Sequence, residues 1–182
     1  MKPKLVDWLR LSLIALLLTV LTGCEHDQPK GKEVAKGDEA APFAKHYPIE
    51  LGDQTINVQL AITPRESEHG LQYRQSLEEN EGMLFLYQAP QSMSFWMPNV
   101  PINLSIGFFG PQGRLKEIYT MFAYDTNSVG GRSSNLQMAL EMREGWYRDH
   151  GIGRGAQLNM EQVKAAMRER GADPADYGWV EE

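Results

Sequence analysis

The sequence predicts a mainly β domain of the α+β class: a compact β-sandwich or barrel-like body with short helices and a C-terminal helix. Three observations carry that prediction. Between residues 47 and 142 the apolar positions recur with period two, the spacing that puts alternate side chains on one face of a strand. Gly, Pro, Asn and Asp break these runs at short intervals, which keeps each strand short. One stretch, 159–171, carries the three-to-four spacing of an amphipathic helix.

The folded part opens with "YPIELGDQTINVQLA" (47–61), two alternating runs around Gly52-Asp53 that read as a hairpin. In "TPRESEHG", Thr63 takes the N-cap, Pro64 the first helical position, and Glu66 falls three residues after the cap. This capping box starts a short helix that Gly70 stops. "GMLFLY" (82–87) and "SMSFWM" (92–97) read as strands joined by a turn at "QAPQ". Alternation sends Met93, Phe95 and Met97 to one side of the second strand and Ser94 and Trp96 to the other. Both faces then meet large apolar surface, so this cluster is expected to be core.

"INLSIGFF" (102–109) places Ile102, Leu104, Ile106 and Phe108 on one face, and the turn "GPQG" returns the chain into "RLKEIYTM" (114–121). Residues 123–135 are polar and glycine-rich, a loop. "LQMALEM" (136–142) reads as a strand with Leu136, Met138 and Leu140 on one face, followed by a helical turn in "GWYRDHGIGRG". Asn159 begins the final helix, whose stripe is Met160, Val163 and Met167 and whose stop is Gly171.

Ahead of this body, Lys2, Lys4 and Arg10 precede an apolar run, Leu11–Leu21, that is too short to span a bilayer comfortably. Residues 1–23 are read as a signal peptide. Its end, Leu21-Thr22-Gly23-Cys24, resembles the lipobox of bacterial lipoproteins, in which the cysteine is acylated. Each buried methylene of such chains adds ~0.8 kcal/mol, so two or three chains make a stable anchor. Glu25, by resemblance to Gram-negative sorting signals, favours the outer membrane, facing the periplasm, over the inner membrane. Residues 24–46 lack an apolar period and read as a flexible tether, reaching ~25 Å as a coil. The expected organisation is thus signal peptide 1–23, tether 24–46, β domain 47–160, and C-terminal helix and tail 161–182.

Cys24 is the chain's one cysteine; once acylated, it leaves no thiol for a disulfide, a thiolate nucleophile or a sulfur-bound zinc. Without the signal peptide the net charge is about −8, and such a body is repelled by phosphate backbones. The expected partners are therefore the lipid bilayer, through Cys24, and an envelope protein or small ligand, not nucleic acid. No cofactor and no metal site is expected, since no two histidines fall at ligand spacing.

"HGLQYRQSLEENEGMLFLY", "SFWMPNVPINLSIGFF" and "ALEMREGWYRDHGIGRGAQL" resemble, in order and spacing, the domain of unknown function 192 over about residues 47–160. The matching positions include Gly70, Leu71, Arg74 and Gly82–Phe85, then Phe95, Trp96, Met97 and Asn99, then Ile102, Leu104, Leu140, Glu141 and Gly145. The resemblance implies a compact β-sandwich or barrel-like fold, often secreted or lipid-anchored, with no established activity. The chain departs from the pattern at Pro98, Val100, Asn103, Ser105 and Ala156; the charged positions of the pattern are lost at Pro98, Ser105 and Ala156, while its apolar positions stay.

Four residues form the expected ligand-binding set: Arg74, Trp96, Asn99 and Glu141. Trp96 offers a stacking face. Arg74 is either a clamp for an anion or carboxylate, or a pair with Glu141 or Glu81 inside the fold. Asn99 either fixes the turn after Pro98 or touches a ligand. The expectation is a non-catalytic module for a small molecule, a glycan or an envelope partner. The alternatives are an envelope hydrolase using Glu68, His69 or Glu141 as acid and base, and an assembly lipoprotein that docks a partner through its final helix and "DYGWVEE" tail. Against the hydrolase, adjacent helical residues do not face each other, and no Ser-His-Asp spacing is present.

Overall fold

Residues 44–180 are described by a computed structural model; residues 1–43, on which the signal-peptide, Cys24 and most of the tether expectations fall, and residues 181–182 lie outside the described residues. The strands are β1 (Tyr47–Leu51), β2 (Gln54–Ala61), β3 (Glu81–Gln91), β4 (Ser94–Phe95), β5 (Leu104–Phe109), β6 (Leu115–Met121), β7 (Val129–Gly130) and β8 (Leu136–Arg143). The helices are α1 (Pro64–His69), α2 (Trp146–Asp149) and α3 (Met160–Glu169), with a 3-10 turn at Pro174–Tyr177. The fold is mainly β with short helices, as expected.

One mixed six-stranded sheet, in the order β1-β2-β3-β8-β5-β6, organises the domain, and β4 pairs with β7 in a small two-stranded sheet. Its neighbours are antiparallel except β2 and β3, which run parallel. A parallel pair cannot be closed by a tight turn, so residues 62–80, including α1, cross over one face of the sheet to connect them. The ladder does not close into a barrel. Residues 153–158 nevertheless reach both of its edge regions, with Leu158 bridging Leu51 of β1 and Gln157 bridging Arg114 just before β6.

Each face of the sheet buries its own apolar set. On one side Leu84 and Leu86 of β3 and Met138, Leu140 and Met142 of β8 pack with Trp146, Tyr147, Val163 and Met167 of α2 and α3. On the other side Met83 and Phe85 of β3 and Leu104, Ile106 and Phe108 of β5 pack with Leu71 and with Met93, Phe95 and Met97. Each such side chain contributes on the order of 1.5–3 kcal/mol when fully buried, so both covering layers are held firmly. The capping box is formed as read: Glu66 N–H donates to Thr63 Oγ1 at 3.2 Å, and Ile62 and Thr63 N–H donate to Glu66 Oε2 at 2.9 and 3.1 Å. Asn159 caps α3, its Oδ1 accepting from Gln162 N–H at 3.2 Å.

Several sequence expectations are corrected. "QAPQ" is not a turn: β3 continues to Gln91, with its pairing to β8 shifting register between Leu86 and Gln91. The same irregularity moves Leu136 to the side of Phe85 and Phe108, away from Met138 and Leu140. The 92–97 run is a strand over Ser94–Phe95 alone, and residues 123–135 contain its partner, β7. Met93, Phe95 and Met97 are core, as expected, but Trp96 is 61% exposed. The alternation was correct; what the period could not reveal is that β4 lies on the outside of the domain, with one face dry and the other wet.

Candidate functional site

β8 lies between β3 and β5, with Glu141 opposite Met83 on one side and Ile106 on the other. Its side chain therefore emerges among apolar neighbours and is only 5% exposed. No described residue donates a hydrogen bond to its carboxyl or pairs a cation with it. Burial pushes the carboxyl up to about 8 from an ordinary value near 4.5, because water is replaced by a medium that disfavours the charge.

Glu141 opens onto a cavity of about 100 Å³ between the end of α1 and the 94–100 segment. Phe85, Phe95 and Val100 line it deep inside, while Glu68, His69 and Trp96 line its exposed rim. Phe85 and Phe95 meet edge to face, with centroids 5.0 Å apart at 75°, which fixes the inner wall. Tyr87, half-buried, also lines the cavity. Its phenol is pushed up by burial, with a hydrogen bond to the Ser67 side chain pulling it back and the Glu141 carboxyl adding to the rise.

Local sequence chemistry positions these walls. The capping box and Pro64 hold α1, and Gly70, at φ +50, ends it and turns the chain over Phe85. On the opposite wall Asn99 adopts φ +58, a conformation that Asn tolerates better than most residues. Its carbonyl accepts from Tyr73 N–H at 2.7 Å, and its side-chain amide donates to Gln72 Oε1 at 3.2 Å. Asn99 thus ties the two walls together from behind. Arg74 is also outside the lining: its guanidinium donates to the Gln59 side chain, and it pairs with neither Glu141 nor Glu81.

Of the expected binding set, then, Trp96 and Glu141 line the cavity, while Arg74 and Asn99 do not. Glu68 and His69, the acid-base candidates, line it together with Glu141, even though they are adjacent on one helix. The helix ends at His69, so the two side chains and the following turn all border the same opening. Ser105, one of the positions where the sequence departs from the pattern it resembles, is on the other face of the sheet; its hydroxyl accepts from Gly145 N–H at 2.9 Å. The departure there leaves the cavity intact. Sequence reading missed Tyr87 and Ser67. Tyr87 continues the Met83–Phe85 alternation, which was the available signal for it.

Two larger depressions lack such a group. One, about 920 Å³, is bordered by Pro90, Pro111, Met160 and Trp179, and its charges Lys164 and Glu161 neutralise each other at 2.5 Å. The other, about 550 Å³, is bordered by Lys116, Arg132 and Arg154 around Glu117. That carboxylate is already satisfied by Tyr119 O–H at 2.6 Å and by the N–H groups of Arg132 and Ser133 at 2.9 and 3.0 Å. Among the described residues no group of three His, Cys, Asp or Glu side chains is placed to hold a metal.

The profile of the family described as Uncharacterized ACR, DUF192, matches residues 48–160. Two solved structures are similar. One is a proposed transcription regulator from Sinorhizobium meliloti 1021, with a TM-score of 0.60 and 23% identity over 63% of this chain and 92% of that one. The other is a protein of unknown function from Novosphingobium aromaticivorans DSM 12444, with a TM-score of 0.59 and 29% identity over 63% of this chain and 84% of that one. No curated protein matches the sequence.

Proposed function

The chain belongs to the DUF192 family, an uncharacterised one, and on that footing we propose that it is a small-ligand-binding module whose site is the Glu141 cavity. The observation that carries this reading is an ionisable side chain buried at the centre of the sheet, without a partner and facing an open cavity. Leaving a buried carboxyl unsatisfied costs roughly 1–3 kcal/mol or more. A fold that needed only stability would do better with an apolar residue there, whereas a ligand that completes the pairing recovers the cost on binding.

The lipobox-like Leu21-Thr22-Gly23-Cys24 and the tether-like composition after it support an envelope location, anchored through acylated Cys24 and facing the periplasm. In that setting the module would take a ligand from the periplasm or present one to an envelope partner. Its acidic balance supports a partner other than nucleic acid.

Acid-base catalysis is a second reading, favoured by the presence of Glu68, His69 and Glu141 on one cavity. With its carboxyl pushed up to about 8, Glu141 carries a proton at neutral pH and is suited to give one up. Binding is preferred because the cavity is small.

Ligand-detected NMR with a panel of small neutral, cationic and anionic compounds tests the reading on the full chain. Binding to wild type that is lost in Ser94→Trp, which blocks the exposed rim, supports the cavity as the site. Binding unchanged by Ser94→Trp, or no binding from any class, contradicts it.

A further inference from the structure

We propose that the group this cavity takes is an organic cation, a primary or methylated ammonium on a small molecule, seated against the Glu141 carboxylate. The inference rests on the binding reading above and names its ligand class. The charges around the opening decide the sign. Among the described residues, Glu141 and Glu68 are the two carboxylates on the cavity, and no Lys or Arg borders it. Once Glu141 has given up its proton, an anion would meet two acids and no lining cation, and among the described residues a bare metal ion would lack a set of protein ligands.

The walls decide the kind of cation. Phe85, Tyr87, Phe95 and Trp96 bring four aromatic rings to one small space. Rings of this kind attract an ammonium through their quadrupole and also shelter its methyl groups, a combination worth ~0.5–2 kcal/mol per well-placed ring. About 100 Å³ is room for a group of a few heavy atoms, the size of an ammonium head. A net charge of −6 over the whole chain also raises the local concentration of cations.

The site carries a built-in dependence on pH. Burial keeps Glu141 protonated up to about 8, so an ammonium must displace that proton to form its ion pair. Affinity then rises about tenfold per pH unit up to that point and levels off above it. Other titratable groups face Glu141: Glu68 and His69 from α1 and Tyr87 from β3, with Tyr147 interacting through the sheet. Within the lining, the 94–100 segment contributes none.

Isothermal titration calorimetry on the full chain, with methylammonium, tetramethylammonium and the neutral tert-butanol, tests the assignment. Tetramethylammonium and tert-butanol are close in size, so charge is the variable. The expected result is at least tenfold tighter binding of the ammonium ions at about pH 8 and a loss of about tenfold per unit towards about pH 6. Glu141→Gln, checked for folding by its melting temperature, should remove the preference for the ammonium ions over tert-butanol. Equal binding of tert-butanol and the ammonium ions, or an ammonium preference that survives Glu141→Gln, overturns the cation assignment and leaves the cavity reading standing. If none of the three binds and the NMR panel also finds no ligand at the cavity, both readings fall together.

Discussion

Glu141 and Ile106 stand in register across β8 and β5, an acid directly opposite a fully buried aliphatic side chain. That placement explains the raised carboxyl, because the neighbouring strand offers the charge neither a donor nor a cation.

The stability of the domain should therefore depend on this proton. In the unfolded chain the carboxyl ionises near 4.5, whereas in the folded chain it holds its proton to about 8. The folded state binds more protons in between, so stability falls as pH rises through that window, by roughly 1.4 kcal/mol per unit. Glu141→Gln should match wild type in acid and become more stable by several kcal/mol at about pH 8. Chemical denaturation across pH checks this.

Trp96 should separate binding from folding. With 61% of it exposed on β4, Trp96→Ala is expected to change stability by no more than about 0.5 kcal/mol. Ammonium binding should weaken by at least about fivefold with the loss of a rim ring. Parallel thermal melts and calorimetry check both halves.

Glu66 fastens the start of α1 to the C-terminal helix. Burial pushes its carboxyl up, but the N–H groups of Ile62 and Thr63 and the Arg170 guanidinium outweigh that and hold it below the ordinary range. Glu66→Ala should cost about 2 kcal/mol by removing the Arg170 ion pair and the half of the capping box that its carboxylate supplies. Because the folded carboxyl is the stronger acid, its contribution is present above the ordinary value and lost as pH falls through the lowered one. The wild-type advantage over Glu66→Ala in urea should therefore shrink in acid.

Gly107 and Tyr147 should be coupled. A Cβ at residue 107 would lie 2.5 Å from the Tyr147 hydroxyl and 2.8 Å from its Cζ, while that hydroxyl donates to the Leu140 carbonyl at 2.8 Å. Gly107→Ala should cost about 2 kcal/mol through overpacking and Tyr147→Phe about 1 kcal/mol through the lost hydrogen bond. The double variant should be more stable than the sum of these by on the order of 1 kcal/mol. A double-mutant cycle by urea denaturation reads this directly.

Local signals in the sequence were the legible ones. Thr63, Pro64 and Glu66 specify a helix start through hydrogen bonds within a few residues, and Asn159 does the same for α3. The alternation of Leu104, Ile106 and Phe108 places them on one face as read. Nonlocal choices were not legible. The parallel pairing of β2 and β3 depends on a crossover whose contacts lie far apart in sequence, and β3 runs through Pro90, which reads locally as a turn. Glu141 sat in a strand that otherwise reads as apolar core. Its meeting with Glu68, His69 and Trp96 depends on how the crossover and the 94–100 segment fold back over one face of the sheet.

The most direct test of the account is a carbon-13 NMR titration of the Glu141 carboxyl in the full chain, with and without tetramethylammonium. A midpoint at about 8 that moves down when the ammonium is present is the predicted result. A midpoint near the ordinary value of 4.5, unmoved by the cation, would contradict both the raised carboxyl and the ligand proposed for it.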